Sequence, residues 1–476
     1  MTRKLVTALA LLICLVAGRA LPSSAQADVA ALDAYFRAQI GAQRVPGIAL
    51  ALAYADGRVD VRTYGGGIAP QTRFRIGSLS KAMTAVAVLQ LTEQGLINLD
   101  APLQTYLPDF TTQNPDWAAR ITVRHLLNHT SGLSELRYDA TQDKRLGDNL
   151  VTSFASAQHD AEPGEQFAYF NANYELLGRI VEVVSGQPYN AYMRERVFAP
   201  AGMDDALAYG DPTPIAELAQ GHLVFYGFPV AFQEPLPIPE ASGGIIASGA
   251  DMAAFLRQFL IDEPNILSKA SIAAMLTAPL GVDSPYGMGW IIETTTDNAR
   301  IYTHGGGVMT FSSDMALLPD EGVAFALLYN RNNLLSTLTT NANIHNSVIA
   351  ILRDRETPVG GVSENVVGVV ILVISATIVI SDTRRLLTSR RWTERTRNQP
   401  LWKRALSLVL LLFPVYFLLA LPSMVRMVMQ RVATYELIFF QLPDLVLLLF
   451  ISAALSLLTL VVRLIFWRSQ TQRTAS

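Results

Sequence analysis

Hydrophobic spacing divides the chain into two unlike parts. Up to about residue 350, apolar positions alternate with polar ones or recur at helical intervals, and beyond it they run together. Gly47 to Tyr54 and Arg58 to Tyr64 alternate on either side of Asp56-Gly57, which predicts two strands joined by a hairpin turn. Asp28 to Gln43 has the spacing of an amphipathic helix. A short β-prone run, Arg73 to Ile76, meets Gly77. A helical pattern then continues through Met83, Val86, Val88, Leu89 and Leu91 to a stop at Gly95. Thr122 is expected to cap a short helix that Gly132 ends, and Glu165 to Tyr174 leads into a helix through Leu176, Leu177, Ile180 and Val183. Ala241-Ser242-Gly243-Gly244-Ile245 opens a further helical segment around Met252 to Leu260. Strands are predicted at Arg300 to His304, Phe311 to Leu318 and Val323 to Tyr329, with Gly305-Gly306-Gly307 and Asp320-Glu321-Gly322 as separators. Prolines and aromatics crowd the stretch from Asp204 to Glu240, which reads as a packed loop with few clear elements.

The run-together part holds three apolar stretches, at about 365–382, 405–425 and 445–466. The last two reach the ~20 residues that cross a bilayer, and the first does so only with its flanks. Arg384, Arg385, Arg390, Arg391, Arg395, Arg397, Lys403 and Arg404 lie between the first two, against Asp382 and Glu394. That excess of positive charge assigns the loop to the cytoplasm and the preceding domain to the outside. The amino terminus agrees. Arg3 and Lys4 precede an apolar core from Leu5 to Ala17, and Ala25-Gln26-Ala27 makes an A-x-A cleavage site, the pattern of a secretory signal. The expected organisation is a signal peptide at 1–27, one domain at 28–352, a linker at 353–364, a membrane region at 365–468 and a cytoplasmic tail at 469–476. The lipid bilayer is thus an expected partner, and the localisation that of a multi-pass cell-membrane protein.

Charge and cysteine usage narrow the chemistry. Residues 28–352 carry 19 Lys and Arg against 33 Asp and Glu, a balance that argues against a nucleic-acid partner. Cys14, the only cysteine, lies in the signal, which leaves the mature chain without disulfides or thiolate metal sites. Ser78 begins the helix that follows Gly77, and Lys81 lies one turn on, on the same face. A serine hydroxyl becomes a nucleophile when a neighbour takes its proton, which a neutral lysine amine can do and an arginine cannot. Only five lysines occur among 37 basic residues, and only Lys81 has a serine three positions before it. A helix cap at Ser78 or Ser80 is the plain alternative. His125 and His129 have the i, i+4 spacing of a zinc pair, but no Glu lies between them and no third ligand follows. A structural role is expected for both, and no metal or cofactor is called for.

Six segments in order resemble the class C β-lactamase and penicillin-binding serine hydrolase superfamily, over about residues 30 to 350. Ser78-Leu79-Ser80-Lys81 is similar to its nucleophile motif, Tyr169-Phe170-Asn171 to its Y-x-N motif, and His304-Gly305-Gly306 to its third motif. The supporting segments are HLLNHTSGL, ASGGIIASGADMAAFL and YGMGW. The resemblance implies an α/β (α+β) fold, with an antiparallel sheet built from both chain ends, flanking helices and a helical subdomain. It implies that Ser78 attacks a carbonyl to form an acyl-enzyme, with Lys81 and Tyr169 sharing the proton. Asn171 would orient Lys81 and a substrate amide, with His304 and Gly306 on the substrate side. The N–H groups of Ser78 and Gly307 would form the oxyanion hole. Histidine at 304 weakens the carboxylate grip a lysine would give, and Val308-Met309-Thr310-Phe311 departs from the proline-glycine turn of many relatives. The implied substrates are peptidoglycan or D-amino-acid peptides, small esters or β-lactams. A membrane-held binding or sensor protein that keeps the fold but turns over little is the alternative.

Overall fold

The computed structural model describes residues 24–138, 148–208, 215–234, 240–358, 363–429 and 433–475. Residues 1–23, which carry most of the expected signal and Cys14, lie outside them, as do Pro212, Pro214, Pro235, Pro237 and Pro239. Helix α1 (Ser24–Gln43) begins ahead of the expected cleavage site and leads into the hairpin of β1 (Gly47–Tyr54) and β2 (Val59–Gly65). Strand β3 (Arg73–Arg75) then brings the chain to helix α2 (Ser80–Glu93). The middle holds helices α3 (Val123–Leu127) and α4 (Asn171–Ser185), strand β4 (Leu207–Ala208), and a hairpin of β5 (His222–Phe225) and β6 (Phe228–Ala231). Helix α5 (Glu240–Gly243), strand β7 (Ile245–Ser248) and helix α6 (Gly249–Arg257) follow. The domain closes with β8 (Ile291–Thr294), β9 (Arg300–Gly307), β10 (Ser312–Leu318), β11 (Val323–Tyr329), β12 (Arg331–Asn332) and helix α7 (Ala342–Leu352).

The main sheet has the order β2-β1-β11-β10-β9-β8, antiparallel throughout, so both ends of the domain meet at its centre, where β1 pairs with β11. The period-2 pattern of β1 sorts its side chains into two layers. Ile48, Leu50 and Leu52 pack with Leu32 and Phe36 of α1 and with Ile344 and Val348 of α7. Ala49, Ala51 and Ala53 face the opposite core, where their small size lets α6 lie close across the strand. Helix α2 runs through this second core with 11 of its 14 residues buried, which explains why its apolar positions run nearly all round. Two smaller sheets, β3-β7-β4 and β12-β5-β6, attach to it. The stretch expected to lack clear elements therefore contains the β5–β6 hairpin. Pro229 is accommodated there because β6 is an edge strand.

Among the described residues, three helices are long and apolar enough to cross a membrane: α8 (Glu364–Leu387), α9 (Leu401–Val428) and, after the short α10 (Tyr435–Gln441), α11 (Pro443–Gln470). Each is tied to the domain at one end. Glu364, at the last position of the expected linker and the first of α8, is buried and pairs with the buried Arg331 at 2.9 Å. It also accepts from Ser336 Oγ and Thr340 Oγ1, both at 2.7 Å. Arg426 of α9 donates to the carbonyl of Leu136 at 2.8 Å, and the Tyr226 N–H donates to Asp444 Oδ1 of α11 at 2.9 Å.

Candidate active site

Strand β3 ends at Arg75, and Ile76 is held to β7 by a bond from its N–H to the Ile245 carbonyl. Gly77 then takes φ of +53°, a left-handed conformation, and starts the one-turn 3-10 segment Gly77–Leu79 that feeds α2. A Cβ on Gly77 would lie 2.6 Å from the Gly307 nitrogen, and one on Gly306 would overlap the Ile76 carbonyl. The glycines therefore let β9 press its backbone against the nucleophile turn. This is also why β9 runs on through Gly307, paired with Ser312, where the sequence reads as a separator. Ser313 Oγ fastens the contact by donating to the Ile76 carbonyl at 2.8 Å. Ser78 is half-buried at the surface of this junction, whereas Ser80 is wholly buried, donating to the Gly77 carbonyl and accepting from the Ile245 N–H.

Lys81 has no exposed surface. Its Nζ lies 3.2 Å from Ser78 Oγ and donates to Asn171 Oδ1 at 2.8 Å and to the Ser242 carbonyl at 2.7 Å. The rings of Tyr169 and Tyr174 flank it, with centroids 4.8 and 5.6 Å from Nζ, close enough for cation–π attraction. Asn171 is the first residue of α4. Ser242 belongs to α5, which is held from two sides: its N–H donates to Glu175 Oε1 at 2.8 Å, and Thr84 of α2 donates to the Ala241 carbonyl at 2.6 Å.

His304 closes the other side. Its Nδ1 lies 2.7 Å from the Gly305 carbonyl and its Nε2 lies 3.0 Å from the Tyr286 hydroxyl, so a neutral ring with its proton on Nδ1 satisfies both. Burial, helped by the Lys81 charge, lowers its pKa to about 3, so it offers no positive charge at neutral pH. Tyr169 stands between it and Lys81, 6.2 Å from His304 between ring centroids. His129 is fully buried among Tyr169, Tyr174 and Tyr286, and Nδ1 accepts from the Phe170 N–H. Burial first, and then the Lys81 charge, hold its pKa well below the usual histidine value. His125 instead caps its own helix, taking the Thr122 N–H on Nδ1. The pair splits because α3 ends at Leu127 and His129 adopts φ of +57°. Among the described residues no group of three or more His, Cys, Asp or Glu could hold a metal ion.

The structure thus brings Ser78, Lys81, Tyr169, Asn171, His304, Gly306 and Gly307 into one site. It adds His129, Tyr174, Tyr286 and the Ser242 carbonyl. His129, Tyr286 and Ser242 fall inside the segments HLLNHTSGL, YGMGW and ASGGIIASGADMAAFL, and Tyr174 lies three residues after Asn171, but their spacing alone carries no chemical signal. The family model described as Beta-lactamase matches residues 32–347. The protein belongs to the beta-lactamase family. Penicillin-binding protein 4 of Amycolatopsis lactamdurans is 31% identical to this family member over 316 residues, 60% of this chain and 81% of that one. Penicillin-binding protein 4* of Bacillus subtilis is 28% identical over 281 residues, 54% of this chain and 60% of that one, so the chain spans less than two thirds of that relative. The octameric penicillin-binding protein homologue from Pyrococcus abyssi superposes with a TM-score of 0.58 at 26% identity, over 69% of this chain and 78% of that one. The family and fold are those of serine hydrolases, and in this beta-lactamase-family protein a hydroxyl, an amine and a phenol ring meet beside two glycine-rich backbone segments.

Proposed function

We propose that the protein is a membrane-anchored, extracytoplasmic serine hydrolase that acts through an acyl-enzyme on an amide or ester, of the carboxypeptidase, esterase or β-lactamase type. One observation carries the reading: Lys81, wholly buried, touches Ser78 Oγ while two of its N–H groups are taken by Asn171 Oδ1 and the Ser242 carbonyl. Those two bonds turn the remaining side of Nζ toward Ser78 Oγ, where an amine that has given up its extra proton can take the serine's. Ser78 Oγ attacks the carbonyl carbon as its proton passes to Lys81, with Tyr169 sharing the transfer to the leaving nitrogen or oxygen. The N–H groups of Ser78 and Gly307 stabilise the oxyanion. Water then adds to the acyl carbon, the acid leaves and Ser78 regains its proton. A neutral His304, with both ring nitrogens partnered, supports substrates recognised at this position without a salt bridge.

Charge and contact support this location. The basic loop after α8 supports a cytoplasmic position for that loop and a domain outside. Glu364, Arg426 and Asp444, each tied to the domain, stand at the helix ends that a three-pass topology puts on the domain's side. The test is covalent labelling of the full chain with a fluorophosphonate and with a fluorescent penicillin. The adduct is expected on the peptide containing Ser78 and absent from Ser78→Ala. Label from the fluorophosphonate alone favours an esterase or peptidase. No label from either on folded protein overturns the hydrolase reading in favour of a binding or sensor protein.

A further inference from the structure

The wall beyond Gly307 is built around a carboxylate from outside the family motifs. Thr310 is wholly buried, and both its N–H and its hydroxyl donate to Glu234, the hydroxyl at 2.8 Å. The other oxygen of Glu234 lies 3.2 Å from Arg75 Nε, and both side chains are nearly free of solvent. Arg75 comes three residues before Ser78 and Thr310 three after Gly307. Three residues of chain reach at most ~11 Å, so this one carboxylate joins the two backbone segments that flank the nucleophile.

Glu234 lies just after the β5–β6 hairpin, which rests on the membrane region. Phe232, two residues earlier, meets Phe440 of α10 edge-on at 5.6 Å, and Phe225 meets Phe439 at 6.1 Å. The Tyr226 contact with Asp444 binds the same hairpin to α11. Between this segment and the nucleophile strand lies a cavity of about 340 Å³, walled by Arg75, Leu218, Phe232, Glu234, Thr310 and Phe311. A cavity there means that side-chain packing alone does not fix the segment against Arg75 and Thr310.

We propose that helix α10, between the second and third membrane helices, is part of the support of the active site: Phe440 holds Phe232, and through it Glu234 acts as a positioning residue that fixes Arg75 and Thr310 on either side of Ser78. The inference rests on the acyl-enzyme reading, because Ser78 acylation is its readout. A displacement of about 1 Å at a reacting group costs about a hundredfold in rate, so a loosened wall registers in the chemical step before it registers in binding.

The experiment uses the full chain in lipid nanodiscs and separates the limiting rate of fluorophosphonate acylation from the concentration giving half that rate. Glu234→Gln should lower the limiting rate about tenfold or more with the half-rate concentration within about twofold. Phe440→Ala should lower the same rate about threefold or more, Phe440→Leu should recover most of it, and Phe440→Ala should add nothing to Glu234→Gln in the double variant. Phe440 lies outside the domain, so the Phe440→Ala and Phe440→Leu pair decides the matter even if Glu234→Gln does not fold. Multiplicative losses, or an unchanged rate in Phe440→Ala with Ser78 still labelled, overturn the coupling and leave the hydrolase reading intact. An unlabelled wild-type chain overturns both.

Discussion

Lys81, itself without exposed surface, donates to two oxygens from distant parts of the chain and lies beside a third on Ser78, all within 3.2 Å. A guanidinium is larger, keeps its proton and has no lone pair to offer, so charge conservation does not conserve the function argued for this position. Lys81→Arg is expected to slow Ser78 acylation about as much as Lys81→Ala, by roughly 10²- to 10⁴-fold. Comparison of fluorophosphonate labelling rates for the two variants checks it, and near-normal labelling in the arginine variant removes Lys81 from the proton path. The pair Ser78 and Lys81 was legible because one helical turn sets both residues on one face. The acceptor at Ser242, 161 positions further on, was not legible, because a backbone carbonyl has no side-chain signature and only the packing of α5 against α2 and α4 aims it. His129 was legible as a structural residue, though not as one that walls the site with three tyrosines.

Among elements, the junction of the nucleophile turn with β9 depends on missing side chains. Gly77 combines a left-handed backbone with a Cβ direction blocked by Gly307, and Gly306 faces the Ile76 carbonyl and Ser313 Oγ, whereas a Cβ on Gly305 meets only Asp314 Oδ1 at 3.5 Å. Gly77→Ala should lose about 1–2 kcal/mol to backbone strain alone, plus the cost of moving β9 away from Ser78. Gly77→Ala and Gly306→Ala are expected to lower the melting temperature and slow Ser78 labelling at least tenfold, a loss in line with a misplaced reacting group. Gly305→Ala should change neither by much, and equal damage from all three substitutions counts against a contact-specific role. The strands β1, β2, β10 and β11 were legible to within a residue, because alternation is strong in β1 and apolar content high in β11, whereas β9 runs three residues past the expected His304 and β8 was not expected. The β5–β6 hairpin was not, since Pro229 and Gly227 read as loop punctuation and only its pairing with β12 and its seat on α10 and α11 give it a place.

At the scale of the whole molecule, the three apolar runs were legible as spans, and α8 reaches 24 residues by drawing in its flanks, from Glu364 to Arg385 and beyond. Nothing in apolar runs could report how the domain sits on them, because that depends on single polar contacts at helix ends. The topology predicts that protease added to intact cells removes the domain while a tag after Ser476 stays protected. Western blotting of both ends checks this, and loss of the tag from outside refutes the three-pass arrangement.

The buried pair of Arg331 and Glu364 has a consequence for separating the domain from its apolar helices. Arg331 is 0% exposed and its carboxylate partner belongs to the first turn of the anchor, as does Asn365, which donates to the Ala42 carbonyl at 2.6 Å. Cutting the chain ahead of Glu364 and drawing the domain away would leave a guanidinium in the interior without its counter-charge, at a cost of about 3–5 kcal/mol. Domains of this kind have only about 5–15 kcal/mol to lose. Such a cut would therefore yield a weakened fragment, and an intact soluble form of the domain has to carry the first turn of α8 with it.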